Sequence, residues 1–244
     1  MAVKSVYLPE PSLFEAARCR AGASREHDRI HITGDEHRHL SVARAEANET
    51  IEIFDGKGSV WTTEVESLGK RETVVRVTQS RTIPRDPLEV ILALAMIRIP
   101  SFELALEKVV EVGVTRIVPF VAERSNAVPG NRHDRWLRLL IEAAKQSKRY
   151  HLPTLDPPVN FDQVISMTAA SKIVFAERSG GPLKSALAGS PALCLVGPEG
   201  GWTDRELSAA HGHGFKAVSL GASILKAETA AIVGVSLVRY ELAK

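Results

Sequence analysis

The pattern of apolar and polar positions changes near residue 80. Before that point, short runs at 50–54, 60–65 and 73–77 alternate apolar and polar residues with the period of two that half-buried strands show. Turn signals at 55–58 and 68–70 separate these runs. After residue 80, continuous apolar runs alternate with segments whose apolar residues recur at spacings of three and four. The chain is therefore predicted to form a small β domain followed by an α/β domain with a mostly parallel sheet.

The second part of the chain is predicted to contain five buried strands and several helices. The strands are expected at 90–95, 116–120, 172–176, 192–196 and 217–220. Apolar spacing predicts helices at 102–112, 136–146 and 228–242, and capping-box sequences beginning at Asn160 and Thr203 predict two more. Because the last helix is apolar on almost every side between 230 and 238, we expect it to be buried.

A segment with two prolines and three charges, at 80–87, is predicted to link the two domains. The predicted domains are therefore 1–80 and 81–244. The length of 244 residues, with 44% hydrophobic and 25% charged residues, is ordinary for a soluble protein of one or two domains.

Composition also excludes several classes of protein. The longest apolar stretches are far shorter than the roughly 20 residues of a membrane-spanning helix. The N-terminus lacks the apolar core of a secretory signal, so a cytoplasmic location is expected. Cys19 and Cys194 lie far apart in sequence and lack further ligands at metal-binding spacing. We therefore expect free, reduced thiols and no metal site.

Positive charge is concentrated in the middle of the chain. The whole sequence is nearly balanced, with 31 basic and 29 acidic residues, but 81–153 holds 12 basic and 8 acidic residues. The densest run comprises Arg124, Arg132, Arg135, Arg138, Lys145, Lys148 and Arg149. A solvated helix face is one interpretation. Because the spacing places several of these residues on one side of a helix, a surface for a phosphate backbone is the other.

Two glycine-containing loops follow predicted strands. The strand at 192–196 runs into Gly197-Pro-Glu-Gly-Gly201, where glycines would let a ligand approach the backbone at the carboxyl end of a strand. The next strand runs into a loop at 220–230 that opens the last helix. An ordinary glycine-rich turn remains an alternative for the first loop. If the loops lie side by side, they form one cleft. Neither the dinucleotide fingerprint nor a Walker motif occurs in these loops, which disfavours nicotinamide cofactors and nucleoside triphosphates as ligands.

These two loops resemble the cofactor-binding motifs of the SPOUT methyltransferase superfamily. Within it, the chain is most similar to the family of 16S ribosomal RNA uridine-N3 methyltransferases. The segments 107–114, 123–125 and 142–147 support this resemblance in the second domain. The segment 37–44 and the Asp55-Gly56 pair resemble the small PUA-like β-barrel domain of the family.

The resemblance implies a deep trefoil knot at about 193–230, in a SPOUT-type domain preceded by an RNA-binding PUA-like barrel. It also implies S-adenosyl-L-methionine as the cofactor, no metal, and a homodimer formed through the knot region. The residues that it implies for cofactor binding are Ala176, Leu195, Gly197, Gly200, Leu220, Gly221, Ile224 and Leu225.

The implied activity is methylation of N3 of a uridine in 16S ribosomal RNA of the small ribosomal subunit. Candidates for RNA contacts are Arg124, Arg135, Arg138 and Arg149. Lys226 and Glu228 are the catalytic candidates. A cation near the uracil carbonyl oxygens would stabilise the negative charge that develops when N3 loses its proton. A carboxylate at a helix start, such as Glu228, is also favoured for structural reasons alone.

The chain departs from the family pattern around the second loop. Ser223 and Lys226 flank Ile224 and Leu225, where the family has arginines, and the central helix has Lys145-Gln146 in place of Glu-Gln. These departures keep two alternatives open. One is a SPOUT protein that binds RNA with altered catalysis, and the other is a SPOUT methyltransferase that acts on transfer RNA.

Overall fold

Strands before and after residue 85 belong to two separate sheets in the computed structural model. It describes residues 3–9, 28–126, 130–176 and 180–244. The chain divides into two compact units. The first comprises Met1–Arg85 and Ala144–Leu152, and the second comprises Asp86–Ala143 and Pro153–Lys244.

The first unit contains a five-stranded sheet and one helix. Its elements are β1 (Lys4–Tyr7), β2 (Arg29–Thr33), α1 (Gly34–Val42), β3 (Thr50–Phe54), β4 (Ser59–Leu68) and β5 (Glu72–Thr82). The strand order is β1-β3-β4-β5-β2, with β1 parallel to β3 and the other pairs antiparallel. Alternate side chains, such as Ile51 and Ile53, share one core with Ile30 and Ile32. The period-two pattern thus places one face of each strand inside the unit.

The linker predicted at 80–87 begins inside a strand. Ser80 and Arg81 continue the ladder of β5 by pairing with Trp61 and Val60 of β4. The prolines lie beyond this point, so they do not remove donors from the ladder.

The first unit also includes a segment from much later in the chain. The Gly58 amide donates to the Tyr150 carbonyl at 3.0 Å, and the Leu152 amide donates to the Gly56 carbonyl at 2.9 Å. The segment 144–152 therefore packs with the β domain, whereas the sequence pattern alone assigns it to the second domain.

The second unit is built on a parallel sheet. Its strands are β6 (Val90–Ala95), β7 (Arg116–Val121), β8 (Thr154–Leu155), β9 (Val159–Asn160), β10 (Ser171–Phe175), β11 (Ala192–Val196) and β12 (Lys216–Val218). The strand order is β12-β10-β11-β6-β7-β8, and β9 also pairs with β7. Every pair is parallel. The predicted α/β class with a parallel sheet is confirmed.

Helices cover both faces of this sheet. They are α2 (Ile99–Val112), α3 (His133–Ser147), α4 (Phe161–Ile165), α5 (Leu183–Ala186), α6 (Asp204–Gly212) and α7 (Ala227–Leu242), of which the last turn of α3 belongs to the first unit. On one face, Val164 and Ala210 of α4 and α6 share a core with Val174. On the other, Gly234 of α7 lies against the ring of Phe175. Successive strand residues point to opposite faces, so the unit has three layers.

The helix α7 is buried on one side only, contrary to the sequence prediction. Ala231, Val235 and Val238 are buried, but Leu237 is 40% exposed and Tyr240 is 62% exposed. One helix can pack only one face against a single sheet, so its remaining apolar side chains face away from the core of this chain.

Local signals at the shorter helices are confirmed. Asn160 and Thr203 cap α4 and α6, and each forms a full capping box with the residue three positions later. Cys194 is buried and free, and burial raises the pKa of its thiol to about 12. Cys19 lies outside the described residues. No described helix is long and apolar enough to cross a membrane.

Candidate functional site

Loops at the carboxyl ends of three strands line one cavity of about 820 Å³ in the second unit, which we call the loop cavity. Ala176 follows β10, the segment 196–202 follows β11, and the segment 218–228 follows β12. The side of α2 contributes Arg98 and Ser101, and the turn after β7 contributes Arg124. The two predicted loops therefore do form one cleft.

The order of the strands explains how the two loops meet. β11 and β12 are not neighbours, because β10 lies between them. In a parallel sheet all three strands end at the same edge, where α/β folds bind ligands. Phe175 and Ala176, at the end of β10, therefore complete a cavity that the sequence pattern assigned mainly to the two predicted loops.

The glycine turn after β11 is packed against an aromatic ring. A Cβ atom at Gly197 would lie 2.7 Å from the indole of Trp202. That indole donates from Nε1 to the Phe175 carbonyl at 2.9 Å and stacks on Phe120, with ring centroids 6.2 Å apart. Glycine at 197 is therefore required by packing within the protein, because a side chain there would displace the ring.

Arg124 holds the same turn from the other side. Its Nη1 donates to the carbonyls of Gly200 at 3.1 Å and of Trp202 at 3.4 Å. A Cβ atom at Gly200 would lie 3.0 Å from the Arg124 Cβ. The neighbouring amide of Glu123 donates to the buried Glu206 carboxylate at 2.9 Å. The turn after β7 thus fixes the position of the loop after β11.

Two other glycines leave open backbone at the cavity. Gly201 and Gly221 have φ values of +71° and +128°, and no heavy atom lies within 4 Å of a Cβ built on either. Such φ values are strained for other residues. These positions let a ligand approach the main chain closely, whereas Gly197 and Gly200 are packed against Trp202 and Arg124.

Charged side chains of both signs line the loop cavity. Glu199 accepts a hydrogen bond from the Arg98 amide at 3.2 Å. Glu228 lies in the first turn of α7, and Lys226 is the N-cap residue of that helix without a side-chain capping bond. Arg98 was not among the predicted site residues; the signal available for it was its position shortly after the end of a predicted buried strand.

The structure brings together most of the residues proposed for cofactor binding. Those that line the loop cavity are Ala176, Gly197, Gly200, Leu220, Gly221, Ile224 and Leu225, together with the catalytic candidates Lys226 and Glu228. Leu195 does not line it, because its side chain belongs to the buried core beneath the sheet edge. The cavity begins one residue later, at Val196.

The basic run does not form one continuous free surface. Lys145 is buried and binds both carboxylate oxygens of Glu36 at 3.0 Å. Lys148 binds Glu52 at 2.9 Å, and Arg135 forms a two-bond pair with Glu103 at 2.6 and 2.7 Å. The basic residues are close together in the sequence, as the spacing indicates. Carboxylates distant in sequence form ion pairs with several of them, however, and neutralise much of this charge.

The remaining candidates for RNA contacts differ in environment. Arg138 is exposed on α3, and Arg149 is half-buried in the segment that follows this helix. Arg124 is the residue that holds the turn at Gly200. Among the described residues, no group of three or more His, Cys, Asp or Glu could hold a metal ion.

Comparisons with protein families match both parts of the chain. A family model described as an RNA methyltransferase domain matches residues 84–239, and one described as an RNA methyltransferase PUA domain matches residues 32–78.

Two similar proteins carry the same name. The ribosomal RNA small subunit methyltransferase E of Synechocystis is 33% identical over 206 residues, covering 80% of this chain and 67% of that protein. The protein of the same name from Mycobacterium tuberculosis is 32% identical over 224 residues, covering 85% and 84%.

Solved structures extend the similarity to the whole fold. The crystal structure of ribosomal RNA small subunit methyltransferase E from Neisseria gonorrhoeae, bound to S-adenosyl methionine, has a TM-score of 0.86 at 28% identity. A Legionella pneumophila structure, with bound cofactor SAM, has a TM-score of 0.86 at 26% identity. Each comparison covers 98% of both chains.

Proposed function

The chain belongs to the RNA methyltransferase family, and on that premise we propose that it transfers a methyl group from S-adenosyl-L-methionine to N3 of a uridine in 16S ribosomal RNA. The observation that carries the proposal is the loop cavity, which combines open backbone at Gly201 and Gly221 with Lys226 at its edge. The names of the relatives support small-subunit ribosomal RNA as the substrate.

The loop cavity fits the proposed cofactor in size and chemistry. Its volume lies within the range of about 300–1,000 Å³ that small-molecule sites occupy. Leu220, Ile224 and Leu225 offer apolar contacts for an adenine ring, and Gly221 offers close approach to the backbone. The carboxylate of Glu228 suits a positively charged ligand.

The bound cofactor supplies an electrophilic methyl group. The chain must present N3 of the base to it, and N3 is normally paired or stacked, so the uridine has to enter the cavity unpaired. We assign to Lys226 the stabilisation of the negative charge on the uracil carbonyl oxygens as N3 releases its proton to water. The three loops contribute by holding both reactants in alignment.

We assign RNA binding to the N-terminal domain, 1–80, and to basic residues of the second domain, 81–244. Arg138 and Arg149 remain candidates for phosphate contacts. For Arg124 and Arg135, the bonds to the Gly200 carbonyl and to Glu103 favour structural roles. A ribosomal RNA substrate also supports a cytoplasmic location.

We further propose a deep trefoil knot over about 193–230 and a homodimer formed through this region. Exposed apolar side chains support the dimer, since Ile224 is 66% exposed in the second loop and Leu237 and Tyr240 are exposed on α7. Such side chains gain stability when a second copy covers them.

The test is methyl transfer from labelled S-adenosyl-L-methionine to small ribosomal subunits from a strain that lacks the gene. We expect one labelled position, at N3 of a uridine in 16S ribosomal RNA, located by primer extension and mass spectrometry. Tight cofactor binding without label in RNA would indicate the alternative of altered catalysis. A parallel reaction offers transfer RNA from the same strain, and label there but not in 16S ribosomal RNA would identify the other alternative.

A further inference from the structure

Arg98 stands at the edge of the loop cavity, outside the two loops that the sequence pattern predicts. It lies three residues after the end of β6 and is the N-cap residue of α2. Its side chain is 81% exposed, although the residue lines the cavity. A long cationic side chain at this edge is accessible to a large ligand that enters from solvent.

Glu199 fixes the local position of Arg98. The Arg98 amide donates to Glu199 Oε1 at 3.2 Å, and the Arg98 Nε lies 3.5 Å from the same oxygen. The carboxylate therefore faces the Nε side of the guanidinium group. The terminal nitrogens remain available for an acceptor outside the protein, because a guanidinium group carries five donors.

The other cations of the loop cavity have different surroundings. Arg124 uses Nη1 to hold the carbonyls of Gly200 and Trp202. Lys226 carries a compact ammonium group at the start of α7. Arg98 is thus the guanidinium of the cavity that presents its planar fork to solvent, and such a fork matches two oxygens of one phosphate.

We propose that Arg98 binds a backbone phosphate of the RNA substrate next to the uridine that enters the loop cavity. This inference rests on the proposed function. A strand that delivers one base into the cavity must place its phosphates along the edge, where Arg98 lies. The carboxylate of the cofactor is the competing acceptor. The high exposure of Arg98 favours the phosphate, because an RNA strand outside the cavity can reach a side chain that is open to solvent.

The test measures equilibrium binding to 16S ribosomal RNA transcribed in vitro, at several salt concentrations. Loss of one phosphate contact in Arg98→Met should reduce the slope of log affinity against log salt by about 0.7–0.9. Affinity near 0.1 M salt should fall about tenfold. Arg98→Lys should keep the slope, because the charge remains, and should weaken binding about threefold through loss of the fork.

Arg205 provides the matched control. It is 84% exposed and lies 3.1 Å from Glu123, but it does not line the loop cavity. Arg205→Met should leave the salt slope unchanged. Calorimetry should show that Arg98→Met binds S-adenosyl-L-methionine with an affinity within twofold of wild type.

Three results would overturn the proposal. An unchanged salt slope in Arg98→Met excludes a phosphate contact, and an unchanged slope with slower single-turnover methylation would point to a contact with the base. A large loss of cofactor affinity would assign Arg98 to the cofactor. Because the binding assay needs no turnover, failure of the proposed methylation in the wild-type protein is detected separately.

Discussion

Lys226 and Ser223 are the residues at which the departure from the family pattern and the loop cavity coincide, and Lys226 is the charged one. It lines the loop cavity beside Ile224 and Leu225. Lys226 is the N-cap residue of α7 by its extended backbone conformation, and its side chain makes no capping hydrogen bond. A purely structural role as a helix cap is therefore not supported by its contacts, and its ammonium group remains the candidate for charge stabilisation.

Lys226→Met should lower the single-turnover rate of methylation by about a hundredfold, because it keeps the apolar stem and removes the charge. Cofactor affinity should stay within a few fold, since a cationic ligand gains nothing from a neighbouring lysine. Lys226→Arg should retain most of the activity, because the charge is kept. Lys184→Met is the control, at an exposed lysine outside the cavity. Rates near wild type for Lys226→Met on saturating RNA would contradict the assignment.

At the scale of elements, one carboxylate joins β3, β5 and the segment 144–152. Glu52 accepts hydrogen bonds from Arg81 at 2.6 Å, Lys148 at 2.9 Å and the Tyr150 hydroxyl at 3.0 Å. Burial raises the pKa of Glu52, but the bonds from Lys148, Arg81 and Tyr150 outweigh burial and hold that pKa below its ordinary value. This carboxylate ties a late segment of the chain to the N-terminal sheet.

Glu52→Gln should reduce the free energy of unfolding by about 2 kcal/mol near neutral pH, because it weakens charge-assisted hydrogen bonds. A carboxylate whose pKa is lowered by folding stabilises above its unfolded pKa and loses this effect as the pH falls through its folded pKa. The difference between variant and wild type should therefore shrink below about pH 4. Urea unfolding of both proteins at several pH values measures this difference in the free energy of unfolding.

The control for this prediction is Glu64→Gln in β4. Glu64 pairs with Arg76 at the surface of the same sheet. Exposed pairs contribute little, so the loss should stay below about 0.5 kcal/mol. A difference between Glu52→Gln and wild type that does not change with pH would contradict the role of the Glu52 charge.

At the scale of the whole molecule, the exposed apolar residues of α7 predict self-association. Leu237→Glu should convert a dimer into a monomer, because burying an unpaired carboxylate in an apolar interface is unfavourable. Sedimentation velocity at micromolar concentration measures this change. Val42→Glu, at an exposed apolar residue of the first unit, should leave the oligomeric state unchanged. A wild-type chain that sediments as a monomer would exclude the predicted dimer.

The sequence by itself determined the class of the fold and most of its elements. The bounds of β3, β6 and β11 agree with the predicted runs, and the capping boxes at Asn160 and Thr203 mark where α4 and α6 begin. These features depend on residues within a few positions of one another. The helix α1 was not predicted, because it has no side-chain cap, whereas α6, of the same length, begins with a capping box.

The part of the candidate site that lies in loops directly after strands was predictable from the sequence, and the rest was not. Seven of the eight proposed cofactor residues line the loop cavity, and the exception, Leu195, lies one residue before its edge. The contact of Arg98 with Glu199 joins residues 101 positions apart. No spacing in the sequence indicates such a pair.

Tertiary structure alone decided which charges are available and which elements meet. It buried Lys145 against Glu36, joined the segment 144–152 to the N-terminal sheet, and placed β10 between β11 and β12. It also left Leu237 and Tyr240 of α7 exposed. The physical reason is that periodicity records which side of an element is apolar, whereas the neighbour that covers this side depends on packing between segments far apart in the chain.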